Sequence, residues 1–538
     1  MRRLNKVLAV ATATVLAGGA LTACSGGDGG SDSNMITAFE TEPQNPLVTT
    51  NTNEVGGGRV LNQLYEGLVE YDAKGKPNNA VAESITPNDD ATEFDIKIKE
   101  GKKFSDGSPV EAKNFVDAWN FGAASKNGQL QQSFFEPIEG FDKVSEEGAT
   151  EDKMSGLEVV SPTEFKVTLS RPTGDFATRL GYSAFAPLPE SAYDDIEAFG
   201  DAPVGNGPYK IEPGDWVHNE SIKLTPNENY DGDRKPQNDG IEFKIYSSMD
   251  TAYLDAQSGQ LDLLDYRVPQ QNFTTYESDF PDSHVNQPAA IFQSFTIPGR
   301  LEHWGGEEGK LRREAVSHAI DRKQITDTIF SGAATPAVDF TTPAIEGGGE
   351  KLAGGDVLEH DPAKAKQLWA EADKISPFSG SLDIAYNADG DHQAWAEAVT
   401  NQISETLGIE SKGLSFPTFQ QIRNDITART IKTAFRSGWQ GDYPSTLNFL
   451  TDLYRTDAAS NDGDYSSPEF DKAIDEAASE PDETKRNEKA NAAQEILLKD
   501  LPAIPLWYSN VTTAWNPDVQ NVVYDWKSEP VYTQVTKK

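Results

Sequence analysis

Two hydrophobic periods alternate along this chain. Phe94, Ile96 and Ile98 alternate with polar neighbours, as in a half-buried strand, and Phe165, Val167 and Leu169 repeat the pattern at the end of 157–169, which predicts two short strands there. Ile222, Leu224, Phe243 and Ile245 mark further strands, as do the apolar runs 431–435 and 504–508. Helical spacing takes over between them. Val60, Leu61, Leu64, Tyr65 and Leu68 predict a buried helix face over 59–66, Leu311, Ala315, Val316, Ala319 and Ile320 form another stripe, and Trp395, Val399, Ile403 and Leu407 recur every fourth residue. Local punctuation sets the helix starts. Ser108 is expected as the cap and Pro109 as the first residue of a helix through Phe115 and Trp119, while Asp361-Pro362 and Ser467-Pro468 open two later ones. A last helix runs through 491–498. Strands alternating with helices predict an α/β architecture. With 538 residues, the chain exceeds what one compact core accommodates, so two or three lobes are expected.

The N-terminus reads differently. Arg2, Arg3 and Lys6 precede an apolar run, 7–16, that is too short to cross a membrane as a stable helix. It leads to Leu21-Thr22-Ala23-Cys24, which resembles a bacterial lipobox: residues 1–23 are expected to be a signal peptide and Cys24 the lipidated first residue of the mature chain. An ordinary secretory signal with an incidental cysteine is the other reading. Cys24 is the only cysteine in the chain, in line with export to an oxidising space by a protein that forms no disulfides. Residues 24–34, rich in Gly, Ser and Asp, are expected to be a flexible tether.

Composition narrows the function classes. Asp and Glu number 86 against 47 Lys and Arg, a net charge of −39, which disfavours nucleic acid and attraction to anionic lipid. The six histidines have no metal-ligand spacing, and neither a phosphate-binding Gly-x4-Gly-Lys loop nor a Gly-x-Ser-x-Gly elbow is present. No cofactor, metal or catalytic residue is therefore expected. A lipid-anchored hydrolase remains a remote alternative, since so many carboxylates can imitate a glycosidase pair by chance.

One stretch is poor material for a core: Arg436-Ser437-Gly438-Trp439-Gln440-Gly441-Asp442-Tyr443-Pro444, after the strand-like run 431–435. Gly438 and Gly441 carry no Cβ and would let a ligand approach the backbone, with Arg436 and Asp442 flanking it. Asp442 could equally cap a helix predicted over 446–453.

The pattern Arg-x-Gly-Trp-x-x-Asp-Tyr, followed by Phe449-Leu450, resembles the ligand-site segment of the extracellular solute-binding proteins of family 5 of ABC importers. So do Phe104-Ser105-Asp106-Gly107-Ser108-Pro109-Val110 and Tyr65-Glu66-Gly67-Leu68. The resemblance implies a bilobal periplasmic-binding-protein-like α/β fold (type II, large, with an extra domain), its two lobes joined by crossing hinge strands. Lobe I would comprise 35–65, 190–285 and 510–538, the additional domain 66–189, and lobe II 286–509. It implies capture of oligopeptides at the outer face of the cytoplasmic membrane by a monomer that serves a permease with separate ATPase subunits. Asp442 would hold the peptide α-amino group, Trp439 and Tyr443 would pack at the ligand, and backbone at Gly438 and Gln440 would bond its main chain. Asn53 and Val55 would form a second contacting edge. Arg436 would answer a carboxylate, hold Asp442, or form an ordinary ion pair; Phe416 would meet a ligand side chain or belong to the core. Dipeptides, nickel chelates, haem and oligosaccharides are the alternative solutes, although neither His nor Met clusters in a way that would suit nickel or haem.

Overall fold

The computed structural model describes residues 34–265, 267–390, 392–458 and 460–538. The signal, Cys24 and all but the last residue of the tether lie outside the described residues. The alternation in the first half builds a four-stranded antiparallel sheet from Ala82–Pro87, Glu93–Ile98, Glu164–Thr168 and Leu157–Ser161, in that spatial order. Phe94, Ile96, Ile98, Phe165 and Val167 are all buried on one face, as the period of two requires. A second sheet collects Met35–Glu40, Gly240–Ile245, Ser221–Pro226 and Tyr209–Lys210, with Trp216–Val217 off its path, and its first pair is parallel. Side chains from both sheets share one core, in which Ile36, Ile222 and Phe243 belong with Phe94, Phe115 and Trp119.

The third sheet contains the Gly-Trp segment. Its strands are β1 (His284–Thr296), β2 (Ala334–Pro336), β3 (Ile384–Asn387), β4 (Gly413–Phe416), β5 (Ala434–Gln440) and β6 (Ala503–Ala514), in spatial order β2-β6-β1-β5-β3-β4. A separate core surrounds it, including Phe292, Trp395, Phe449, Leu497 and Trp507. The far end of the long antiparallel pair β1 and β6 reaches Asp265 and Arg267 through Thr513 and Thr512, and Leu263 bridges Trp515, just past β6, to Ala38 of the strand Met35–Glu40. Among the described residues no helix is long and apolar enough to cross a membrane.

Most predicted elements form, and three differ at their ends. The first helix is Val55–Leu64 rather than 59–66: the Glu54 carboxylate accepts from the main-chain N of Gly57 at 2.9 Å and so starts the helix four residues earlier, despite three glycines in its first turn. Ser108 caps no helix. Val110 N donates to Lys102 O and Phe104 N to Ser108 O, which closes 102–110 as a hairpin-like loop, and the helix Ala112–Ala123 begins after Glu111, whose N donates to Asn114 Oδ1 at 2.8 Å. The run 431–435 does not end before the Gly-Trp segment; β5 continues through it to Gln440, because residues 435–440 pair with 291–296 of β1.

Candidate functional site

Pairing decides which backbone groups of β5 are available. Gly441 N donates to Ala290 O, so in the antiparallel register Trp439 and Ser437 also direct their main-chain groups at β1. Arg436, Gly438 and Gln440 then direct theirs to the opposite edge. The neighbour on that edge, β3, pairs with β5 only at Ala434 and Phe435. Among the described residues the edge beyond Phe435 is open to an added strand.

The small size of the glycines has a packing reason inside the protein, which the sequence did not show. A Cβ on Gly438 would lie 2.5 Å from the Phe292 carbonyl oxygen, and one on Gly441 would lie 3.2 Å from both the Phe449 and Trp526 rings. Strand contact and ring packing, respectively, require their small size.

Past Gln440 the chain turns into the helix Thr446–Tyr454. Its cap is Ser445, whose Oγ accepts from Leu447 N at 3.2 Å, so the capping role considered for Asp442 is filled by another residue. Asp442 is partly buried, and its main-chain N donates to Asn448 Oδ1 at 2.9 Å. Its Oδ2 accepts from Asn448 Nδ2 at 3.2 Å, and no other hydrogen bond or ion pair to this carboxylate occurs among the described residues. Burial pushes its carboxyl above the usual range, against the nearby charge of Lys527, the Asn448 hydrogen bond and the charge of Arg179. Asp452, one turn along the helix from Asn448, is pushed by burial up to about 7, opposed by Arg179. Arg179 itself pairs with Asp175 at 3.0 Å and lies over the Tyr443 ring at 5.0 Å. Asp175 also accepts from Ser445 Oγ at 2.8 Å.

Asp442 lines a cavity of about 390 Å³ with Tyr71, Tyr182, Arg234, Trp526 and Lys527. Its acidic lining residues, Glu70, Asp72, Asp233, Asp442, Asp525 and Glu529, outnumber the basic ones, Arg234, Lys235 and Lys527, so it favours a cationic group. The Lys527 ammonium rests 5.3 Å from the Tyr182 ring centre. A second cavity of about 220 Å³ is bounded by Arg436, Ser437, Gly438 and Trp439 together with Phe419 and Tyr465. Arg436 donates to Asn387 Oδ1 at 2.8 Å and lies 4.9 Å from the Phe419 ring.

This arrangement can be set beside known proteins. The family model described as "Bacterial extracellular solute-binding proteins, family 5 Middle" matches residues 76–461. The chain belongs to that family. It is 25% identical over 517 residues to the oligopeptide-binding protein OppA of Bacillus subtilis (strain 168), covering 93% of this chain and 92% of that one. It is 27% identical to the periplasmic oligopeptide-binding protein OppA of Salmonella typhimurium over 92% of this chain and 93% of that one. Among solved structures, the unliganded open form of the periplasmic murein tripeptide binding protein MppA superposes with a TM-score of 0.78 at 21% identity, over 94% of this chain and 98% of that one. OppA of Haemophilus influenzae in complex with RPPGFSPFR gives 0.76 at 22% identity, over 94% and 99%. These superpositions establish the periplasmic-binding-protein fold.

Within that fold the expected site residues separate. Arg436, Gly438 and Trp439 line the second cavity, Asp442 lines the first, and Gln440 sits on the open edge between them. Tyr443 is buried under Arg179. Phe416 packs against Ile422, Ile426 and Phe435 and lines neither cavity. Asn53 and Val55 are exposed and also line neither, but Gln131 Nε2 joins Thr52 O (2.6 Å) to Tyr182 Oη (3.0 Å), two bonds from their loop to the first cavity. Asn448, Asp452, Asp175, Arg179 and Lys527 were not expected. The i, i+4 pair Asn448 and Asp452, in a helix already predicted, was a usable signal; Asp175 and Arg179 come from far up the chain and left none.

Proposed function

We propose that this family 5 protein captures extracellular oligopeptides, lying extended along the open edge of β5, and passes them to the permease of an ABC importer. The observation that carries the reading is a free strand edge at Gly438 and Gln440 ending at Asp442, a carboxylate with unused acceptor capacity in an acid-lined cavity. An added strand satisfies main-chain groups whatever its side chains, which suits a protein taking many sequences. The peptide α-ammonium meets Asp442, and drying of the site strengthens that pair as the dielectric falls. Relatives named for oligopeptides and dipeptides support this class of solute.

Two expectations join the proposal. The regions built on the second and third sheets act as lobes that close on the ligand about β1 and β6, and a saturated complex with the radius of gyration of the free protein would remove the hinge. Cys24 carries lipid at the outer face of the cytoplasmic membrane, and Cys24→Ser releases the protein from the membrane fraction.

The deciding experiment is calorimetric titration of a free-amino peptide and its N-acetylated form. Truncating one partner of a desolvated charge pair costs about 2–5 kcal/mol, so Asp442→Ala weakens the free peptide by roughly 30-fold or more. Acetylation costs the wild type comparably and the variant little. Equal wild-type affinity for both forms overturns the peptide reading in favour of another solute, such as a chelate or a sugar.

A further inference from the structure

Four polar contacts of the site converge on one side chain. Asn448 is fully buried on the helix Thr446–Tyr454. Its Oδ1 accepts from the Trp439 indole Nε1 at 3.1 Å and from Asp442 N at 2.9 Å. Its Nδ2 donates to Asp442 Oδ2 and to Asp452 Oδ2, each at 3.2 Å. The two N–H donors require an oxygen and the two carboxylates require a donor, so chemistry alone assigns the amide orientation. One planar group thereby fixes the aromatic wall of one cavity, the carboxylate of the other and the turn between them.

The neutrality of that group matters. A Lys or Arg here would hold two carboxylates as firmly, but it would cancel the charge a cationic ligand is to meet. An aspartate would keep the acceptor for Trp439 and Asp442 N but set a third carboxylate against Asp442 and Asp452. Only an uncharged group with an acceptor on one side and two donor hydrogens on the other does both tasks. Among the described residues no ion pair reaches Asp442 or Asp452. Asp175, Asp442 and Asp452 stand against Arg179 and Lys527, and Arg179 is already committed to Asp175.

We infer that Asn448 is the positioning residue of an ammonium site made of two carboxylates, Asp442 in contact with the ligand and Asp452 behind it, whose charge its amide orders without neutralising. This rests on the reading that Asp442 meets a peptide ammonium. Asp452 strengthens the field at Asp442, and the indole bond keeps Trp439 in register with both.

The test titrates trialanine and N-acetyl-trialanine into wild type, Asn448→Asp, Asn448→Ala and Asp452→Asn, with thermal melting of each protein. Asn448→Asp keeps the shape of the side chain but replaces its donor with a third carboxylate, and Asn448→Ala removes the donor without adding charge. Hydrogen bonds to charged groups set the scale: both Asn448 variants lose roughly tenfold or more for trialanine. They lose little for the acetylated peptide, so discrimination collapses, and Asn448→Ala adds nothing in an Asp442→Ala background. Asp452→Asn, which keeps the shape and removes the charge, loses about threefold for trialanine alone in protein whose melting shows it folded. Retained discrimination in a folded Asn448 variant, or equal losses for both peptides, overturns the role of Asn448. Unchanged trialanine affinity in Asp452→Asn overturns the second carboxylate. A wild type that fails to discriminate overturns the peptide reading itself, which is a separate outcome.

Discussion

Asp339 and Asp442 are both aspartates withdrawn from solvent near the third sheet, and burial raises the carboxyl of each. Asp339 is fully buried and fully answered: Thr341 N and Tyr508 Oη donate to Oδ1 at 2.9 and 2.6 Å, and Thr341 Oγ1 and Glu350 N donate to Oδ2 at 2.9 and 3.0 Å. Asp442 receives one hydrogen bond, at 3.2 Å, among the described residues and faces a cavity. Thr341 and Glu350 of its own loop and Tyr508 of β6 supply its partners, so its burial is structural. Burial without the matching donors is unfavourable in isolation and persists where a ligand completes the set. The difference between the two carboxylates therefore lies in what remains unmade around one of them.

Exchanging the roles is the sharpest way to break the comparison. Asp339→Ala removes the acceptor of the Tyr508 hydroxyl, Thr341 N and Thr341 Oγ1 in the core and of the part-buried Glu350 N, at about 1–3 kcal/mol for each buried group left unsatisfied. The expected result is a stability loss of ~3–5 kcal/mol by denaturant unfolding, with peptide affinity unchanged in the protein that remains folded. Asp442→Ala should show the reverse, near-normal unfolding with lost binding. A binding defect in Asp339→Ala would abolish the distinction.

The next effect is one of pH. Asp452 sits at about 7 in the folded protein against an ordinary 3.8, so the folded state holds its proton more tightly than the unfolded chain. Its contribution favours folding below about pH 4 and disappears as pH rises to 7. With allowance for its partial exposure this amounts to roughly 2 kcal/mol. Ionisation through the same window adds negative charge beside Asp442 while the peptide ammonium is still protonated, so free-amino peptides bind more tightly at pH 7 than at pH 5. Melting and titration at the two pH values check both directions, and Asp452→Asn should flatten both. An unchanged profile in that variant would detach Asp452 from the site.

The smallest effect belongs to Ser445, which shares features of both carboxylate environments because it caps the site helix and donates to buried Asp175. Ser445→Ala should cost about 1 kcal/mol in unfolding, the usual worth of a cap, and leave peptide affinity within twofold. A larger binding loss would move Asp175 from scaffold to site.

Local periodicity and punctuation, by themselves, determined the strands at 93–98 and 157–169, the helices opened by Asp361-Pro362 and Ser467-Pro468, and the α/β class, because those signals act between residues a few positions apart. The segment from Arg436 to Tyr443 was also legible, since no core would select that mixture. What it means at atomic scale was decided only by tertiary structure. β5 runs on to Gln440 because β1, more than 100 residues earlier, pairs with it there. Gly438 is small for the Phe292 carbonyl, and Asp442 is left incomplete because Asn448 supplies one donor where Asp339 finds four. Arg179 and Asp175 reach the site from a different sheet region, over 260 residues away, through contacts that leave no period in the sequence. Pairing edge, packing partner and unpaired acceptor are properties of surfaces brought together in space, so they exist only once the chain has folded.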